Sequence, residues 1–285
     1  MSTVHPLITA TELRALLDSP QPPLLLDCGF DLANTAAGEQ DYQSGHLPGA
    51  RYLHLDRDLS APKSAAGPIQ GGRHPLPSLE LLAQRAGAWG VTPDRLVVCY
   101  DRQGGPYAAR AWWMLRWLGH PAVRVLDGGV AAWLAAGGAL DTQVAAALPA
   151  AGPYPARAPA MPTVDAPTLL ASLDSLQVVD ARAPERYRGE VEPLDAQAGH
   201  IPGARNRFFK DNLTADGRFK SVDALREEFL ALGLLPGQVV HQCGSGVTAC
   251  HNLLAMALAG LGDARLYPGS WSEWSADPAR PVARG

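Results

Sequence analysis

Short apolar runs alternate with amphipathic segments along the first half of the chain. The apolar runs predict buried strands at residues 24–27, 96–100 and 123–126. Segments with apolar residues at helical spacing predict helices at residues 9–17, 78–87, 107–118 and 130–136. Because the strands alternate with helices and are apolar throughout, the pattern predicts an α/β fold with a mainly parallel sheet flanked by helices.

Four sequence landmarks of the first half recur in the same order in the second half. The pairs are GHLPGA at 45–50 and GHIPGA at 199–204, LLLDC and QVVDA, RLVVCYD and GQVVHQC, and VRVLDGGVAAW and ARLYPGSWSEW. The repeat predicts further strands at residues 177–179, 238–241 and 265–267. The chain is therefore interpreted as a tandem duplication of one domain.

A segment rich in alanine and proline separates the two halves. Residues 141–162 include ALPAAGPYPARAPAMP, which offers few side chains to a core and predicts a surface linker. The predicted domains are therefore residues 1–140 and 163–285. A second segment rich in glycine and proline interrupts the first domain at residues 60–77.

The loop after the strand at 238–241 carries the strongest chemical signal. It reads CGSGVTAC from Cys243 to Cys250 and leads into an apolar helical stretch. Gly244 and Gly246 allow successive backbone N–H groups to converge, and the helix start adds its unpaired N–H groups and positive dipole end. Such a loop holds an anion, which favours a nucleophilic thiolate at Cys243. The alternative, a buried packing cysteine, does not explain the Gly-Ser-Gly that follows.

The two halves differ at this position. Asp101 stands in the first half where Cys243 stands in the second, and RQGGPYAAR follows it. Because that loop has no thiol, the first domain is predicted to be non-catalytic.

Composition and charge narrow the possible partners. The chain has 285 residues, of which 47% are hydrophobic and 18% are charged, as in ordinary globular proteins. A net charge of −4 argues against a nucleic-acid or membrane-surface partner. The start of the chain lacks the pattern of a signal peptide and no stretch approaches the length of a membrane span, so a cytoplasmic protein is expected. A monomer is also predicted. The four cysteines and eight histidines lack metal-ligand spacing, and no metal is expected.

Taken together, the repeat and the cysteine loop resemble those of the tandem rhodanese-like sulfurtransferases, and the resemblance extends over essentially the whole chain. The resemblance rests on the duplicated domain, the GHIPGA turn, the CGSGVTA loop and aspartate in the first-half position. The loop is similar to that of the mercaptopyruvate sulfurtransferases, whereas the thiosulfate enzymes often have basic residues directly after the cysteine. Here those positions are Gly244 and Ser245. The resemblance favours 3-mercaptopyruvate as sulfur donor, with thiosulfate as the alternative.

The resemblance implies a persulfide mechanism without a cofactor. Cys243 would take a sulfur from the donor and pass it to cyanide or to a thiol such as thioredoxin. The N–H groups of the loop would stabilise the anionic sulfur, which makes donor-binding candidates of Gly244, Gly246, Val247 and Thr248.

A donor with a carboxylate needs a cation, and arginines are present before the GHIPGA turn. By resemblance, Arg186 occupies the position of a substrate-binding arginine, and Arg188 is a second candidate. Arg182, which follows Asp180, is expected to form a structural ion pair. Mercaptopyruvate enzymes often carry another arginine several residues later, where this chain reads VEPLDAQ.

The resemblance also implies a serine, histidine and aspartate set that brings a proton to the leaving enolate. The matching residues are Ser245, His74 and Asp56. A loop histidine and a strand-end aspartate are also common without any function.

Two other classes of protein use a cysteine in such a loop. A cysteine phosphatase needs an arginine six residues after the cysteine, and Ala249 occupies that position. A redox switch or binding module would need Cys243 and Cys250 to form a disulfide, but the start of a helix lies between them and directs them apart.

Overall fold

The structure is a computed structural model that describes residues 5–63, 70–146, 152–155, 157, 159–262 and 264–285. The chain divides into two compact units. The first unit comprises Met1–Leu59, Pro77–Ala160 and Ala215–Arg218. The second unit comprises Ser60–Leu76, Met161–Thr214 and Phe219–Gly285. The glycine- and proline-rich segment at 60–76, which we call the excursion, thus belongs to the second unit, and its described residues are 60–63 and 70–76.

The first unit contains a fully parallel sheet of five strands. They are β1 (Leu7–Ile8), β2 (Leu24–Asp27), β3 (Arg51–Tyr52), β4 (Val97–Tyr100) and β5 (Val123–Leu126). Their spatial order is β1-β5-β4-β2-β3. The described helices of this unit are α1 (Ala10–Leu17), α2 (Ala37–Ser44), α3 (Leu79–Trp89), α4 (Pro106–Trp117) and α5 (Gly129–Ala135).

The second unit repeats this plan with four parallel strands. They are β6 (Gln177–Asp180), β7 (Arg205–Asn206), β8 (Val239–Gln242) and β9 (Arg265–Leu266). Their spatial order is β7-β6-β8-β9. The described helices are α6 (Ala166–Ala171), α7 (Pro184–Tyr187), α8 (Val222–Ala231), α9 (Thr248–Leu258) and α10 (Ser270–Trp274), with a 3-10 turn at Phe209–Asn212.

Local sequence signals account for where these elements begin. Thr9 caps α1: its side chain accepts from the Glu12 N–H, and the Glu12 carboxylate accepts from the Thr9 N–H at 2.9 Å. The central strands β4 and β8 are buried at every position, as parallel strands covered on both faces must be. The predicted α/β fold of two tandem domains with parallel sheets is confirmed.

The linker is less exposed than its composition suggests. Tyr154 is 3% exposed, its N–H donates to the Ala83 carbonyl at 2.8 Å, and its hydroxyl lies 3.2 Å from His120 Nδ1. One aromatic side chain therefore anchors the described part of this proline-rich segment to the first unit. Within the described ranges, no helix is both long and apolar enough to cross a membrane.

Candidate active site

Cys243 directly follows β8, between the neighbouring strands β6 and β9. It opens a five-residue loop that ends where α9 begins at Thr248. Ligands gather at the carboxyl ends of strands in such sheets, and this loop lies at that edge. Cys243 is only 2% exposed, so its thiol is shielded from bulk water.

The beginning of α10 holds the cysteine in place. The Trp271 N–H donates to the Cys243 carbonyl and the Ser272 N–H donates to the Gly244 carbonyl, both at 2.9 Å. The Cys243 N–H donates to Ser270 Oγ at 3.1 Å, and that hydroxyl donates to the Tyr267 carbonyl at 2.9 Å. Both oxygen and nitrogen of the Cys243 backbone are thus fixed by residues that precede or begin this helix.

Ser270 adopts a strained backbone conformation. Its φ is 53°, the one positive φ of a non-glycine residue among those the structure describes, and its side chain is fully buried. Sequence analysis did not single out this residue. The repeat carries a signal, because Ser270 stands where the first half has Gly129, whose φ is 52°.

The predicted loop residues lie together around Cys243. Gly246 has a positive φ, and a Cβ at that position would collide with the Pro268 carbonyl. Val247 is buried and precedes α9 without a side-chain cap, and Thr248 is half-buried. Cys250 is fully buried and its Sγ donates to the Gly246 carbonyl at 3.3 Å. All four cysteines are free.

Arg186 lies beside this loop and is held by two buried carboxylates. Its Nη2 donates to Glu192 at 2.6 Å and to Asp195 at 3.1 Å, and its Nε donates to Glu192 at 3.3 Å. Its Nη1 lies 3.5 Å from the position that a Cβ on Gly244 would occupy. The predicted arginine therefore reaches the residue next to Cys243.

Arg73, from the excursion, is a second arginine at the same place. Its Nη1 pairs with Asp195, and its Nη2 lies 2.9 Å from the Cβ position of Gly244. Burial lowers the pKa of Arg73, the nearby charge of Arg186 acts in the same direction, and Cys243 and Glu192 oppose them. No sequence pattern singled out Arg73, although it directly precedes the candidate His74.

The structure brings two members of the predicted proton-transfer set together. His74 Nδ1 lies 2.7 Å from Ser245 Oγ, and both side chains are buried. Asp56 belongs to the first unit, where its N–H donates to His54 Nδ1 at 3.1 Å.

The other two arginines of this region have different surroundings. Arg182 is buried and pairs with Asp180 at 2.6 Å and Glu192 at 3.2 Å, which agrees with the structural ion pair expected from the sequence. Arg188 is exposed and pairs with Glu190 at 2.7 Å. The structure thus places this candidate on the surface, in contrast to Arg186.

His241 lies on β8 two residues before Cys243. It is completely buried, with Nε2 2.8 Å from Met256 Sδ, and burial lowers its pKa to about 3. This imidazole is therefore neutral at physiological pH. Among the residues described, no group of histidine, cysteine and acidic side chains could hold a metal ion.

Comparison with known proteins finds the same domain twice. The family model described as "Rhodanese-like domain" matches residues 9–136 and 165–277. These two stretches cover most of the chain and correspond to the two halves of the repeat.

Relatives that match over nearly the whole chain are named as sulfurtransferases. The chain is 50% identical over 284 residues to a Pseudomonas aeruginosa protein named "Probable 3-mercaptopyruvate sulfurtransferase", with 98% of each chain covered. It is 36% identical over 273 residues to the thiosulfate sulfurtransferase of Cricetulus griseus, covering 92% of this chain and 88% of the relative. The crystal structure of SseA from Escherichia coli, described as a 3-mercaptopyruvate sulfotransferase, matches with a TM-score of 0.78 and 31% identity. That match covers 95% of this chain and all of SseA.

Proposed function

The chain belongs to the rhodanese-like sulfurtransferases, and we propose that it takes sulfur from 3-mercaptopyruvate through a persulfide on Cys243. The observation that carries this choice of donor is the hydrogen bond between Ser245 and His74 in the cysteine loop. After 3-mercaptopyruvate gives up its sulfur, the rest of the molecule leaves as a carbanion equivalent that must be protonated. Thiosulfate leaves as sulfite, which needs no proton.

The first chemical step forms the persulfide. The Cys243 thiolate attacks the donor sulfur, a sulfur–sulfur bond forms, and the carbon–sulfur bond breaks with its electron pair on carbon. The leaving group is the enolate of pyruvate. In the second step an acceptor thiolate or cyanide attacks the outer sulfur, and Cys243 leaves again as the thiolate.

Ser245 and His74 are placed to complete the first step. We assign the Ser245 hydroxyl as the proton donor to the enolate carbon, and His74 as the group that replaces the proton through Nδ1. Asp56 stays a sequence-based prediction for the third member of the set.

Electrostatics near the loop suit a singly charged donor. Residues 243–248 carry no charged side chain except the reactive thiolate itself. Arg73, Arg182 and Arg186 face three buried carboxylates, which are those of Asp180, Glu192 and Asp195. With little net charge in this cluster, a monoanionic carboxylate is favoured over dianionic thiosulfate. We assign Arg186 to the donor carboxylate, and Arg188 has no part in this site.

Thiosulfate is the alternative donor, because relatives with that name match over most of the chain. A small thiol such as thioredoxin, or cyanide, is the proposed acceptor. The monomeric state and the cytoplasmic location stay predictions from the sequence.

The test compares kcat/KM for 3-mercaptopyruvate and for thiosulfate with the same acceptor, in the unaltered protein and in His74→Gln. We expect a preference for 3-mercaptopyruvate, and a loss of about 100-fold with that donor alone in His74→Gln, because general acid catalysis contributes about that much. A preference for thiosulfate would overturn the proposed donor. An equal loss with both donors would overturn the proton-transfer role of His74.

A further inference from the structure

The VEPLDAQ stretch at residues 191–197 contains buried carboxylates and no arginine. The side chains of Glu192 and Asp195 are 3% and 2% exposed. Because an unpaired buried charge is strongly destabilising, each needs cationic partners. Glu192 pairs with Arg182 and Arg186. Asp195 pairs with Arg186 and with Arg73, which lies 122 residues earlier in the chain.

Arg186 and Arg73 use one side of the guanidinium for these ion pairs and direct the other towards Gly244. Arg186 gives Nε and Nη2 to the carboxylates, and Arg73 gives Nη1. The remaining terminal nitrogens point to the same place. Arg186 Nη1 lies 3.5 Å, and Arg73 Nη2 lies 2.9 Å, from the position that a Cβ on Gly244 would occupy. Two charged donors that converge on one point suit a planar anion with two oxygens.

The backbone of the excursion fixes Arg73 at this place. The Arg73 N–H donates to Ser272 Oγ at 3.0 Å, and the Gly71 N–H donates to Glu273 Oε1 at 2.8 Å. Gly72 has a φ of 75°, and a Cβ there would collide with the Gly269 carbonyl. Arg73 is thus attached to α10, whose first residues also hold Cys243, and its side chain remains 24% exposed.

We propose that Arg73 binds the carboxylate of the sulfur donor together with Arg186. The excursion then supplies the cation that the VEPLDAQ stretch lacks, and Asp195 orients it. In 3-mercaptopyruvate the carboxylate is two carbons from the sulfur, so it can lie above Gly244 while the sulfur meets Cys243. This inference rests on the proposed carboxylate donor.

The experiment measures the Kd of 3-mercaptopyruvate by titration calorimetry in a Cys243→Ser background, where the donor binds without turnover. Adding Arg73→Gln is expected to raise Kd about 10- to 100-fold, since a charge-assisted hydrogen bond is lost. Arg73→Lys keeps the charge but lacks the forked guanidinium, so its Kd is expected to lie between that of the protein with Arg73 and that of Arg73→Gln. The matched control is Arg205→Gln, an exposed arginine of the same unit, which should change Kd by less than about twofold.

A second pair of variants separates donor binding from a structural role. If Arg73 only neutralises Asp195, then Arg73→Gln with Asp195→Asn should bind as well as Asp195→Asn alone. The proposal expects the double variant to bind about 10-fold more weakly than Asp195→Asn. Equal binding by these two variants, or an unchanged Kd in Arg73→Gln, would overturn the role of Arg73.

Gly244→Ala probes the convergence point itself. Gly244 does not need a left-handed backbone, but a methyl group there would lie 2.9 Å from Arg73 Nη2, so alanine should displace the Arg73 guanidinium from its place beside Gly244. We expect weaker donor binding in this variant, and an unchanged Kd would place the anion elsewhere. If the Cys243→Ser protein binds thiosulfate and not 3-mercaptopyruvate, the proposed donor is wrong and this inference falls with it.

Discussion

The loop after β4 and the loop after β8 have the same length and the same position in their sheets, but they differ at the first residue. In the first unit that residue is Asp101, which is 1% exposed. Its Oδ1 accepts from the N–H groups of Gln103 and Gly105 at 3.0 and 2.8 Å. Its Oδ2 accepts from those of Tyr107 and Ala108, both at 3.0 Å. The first-unit loop is thus an anion-binding loop that holds its own carboxylate.

The second-unit loop has the same backbone plan with a thiol in that place. The residues equivalent to the four donors are Ser245, Val247, Ala249 and Cys250. The Cys250 N–H already donates to the Val247 carbonyl at 3.0 Å. We expect the other three N–H groups to serve the sulfur of Cys243 and its persulfide, as the first-unit donors serve Asp101.

The residue that supports each loop also differs between the two units: it is Gly129 in the first unit and Ser270 in the second. Gly129 and Ser270 have nearly the same positive φ, but glycine adopts it without strain and serine does not. The serine hydroxyl accepts from the Cys243 N–H, which a glycine could not do. The carboxylate of the loop after β4 is therefore satisfied by four N–H groups, whereas the loop that begins at Cys243 is supported by a strained serine.

The largest expected effect comes from removing the proposed nucleophile, Cys243. Cys243→Ser should lower kcat/KM at least about 1000-fold, because the hydroxyl cannot form the persulfide. Cys250→Ser is the matched control and should retain most of the activity, since its thiol is buried and donates to the backbone carbonyl of Gly246. Steady-state assays with 3-mercaptopyruvate and cyanide measure both. Substantial turnover in Cys243→Ser would contradict the assignment.

The next effect concerns stability in the first unit. Asp101→Ala leaves four N–H groups, three of them buried, without their acceptor and should lower the free energy of unfolding by about 3 kcal/mol. The exposed Asp18→Ala is the control and should change it by less than about 0.5 kcal/mol. Denaturant unfolding measures both. Equal midpoints for the two variants would show that Asp101 does not stabilise its loop.

The smallest effect tests the difference between Ser270 and Gly129. Ser270→Gly and Ser270→Ala both remove the hydroxyl that accepts from Cys243, so both should lower kcat/KM by about 3- to 10-fold. Only glycine also relieves the strain, so Ser270→Gly should be about 1 kcal/mol more stable than Ser270→Ala. Thermal unfolding and donor kinetics on the same samples measure the pair. Equal stabilities would mean that the positive φ stores no strain.

Much of the site could be predicted because it is local in the chain. Cys243, Gly244, Ser245, Gly246, Val247 and Thr248 follow one another in the chain, and a strand, a glycine-rich loop and a helix can be recognised from neighbouring residues. Arg186 entered by resemblance and lies beside the loop, whereas Arg188 came from the same stretch and lies on the surface. Arg186 lies within α7 and Arg188 is the residue that caps its C-terminal end, and the two side chains have different partners, which residue type does not reveal.

Ser270 and Arg73 could not be derived by the same means. Ser270 looks like any serine after a glycine until its φ and its contact with the Cys243 N–H are known. Arg73 lies in a glycine- and proline-rich segment with no periodic pattern, and its partner Asp195 is 122 residues away.

Sequence patterns alone predicted the duplicated α/β fold and the family, and they placed a candidate nucleophile in the second half and an aspartate at the matching position of the first half. Those conclusions depend on periodicity, repetition and single residue types, all of which are properties of neighbouring positions. The folded structure was needed to show that Arg73 joins Arg186 beside Gly244 and that a strained serine holds Cys243, and it puts His74 beside Ser245 as the resemblance implied. Such contacts join segments far apart in the chain, and buried charges and backbone groups select their partners only when the folded units exclude water from them.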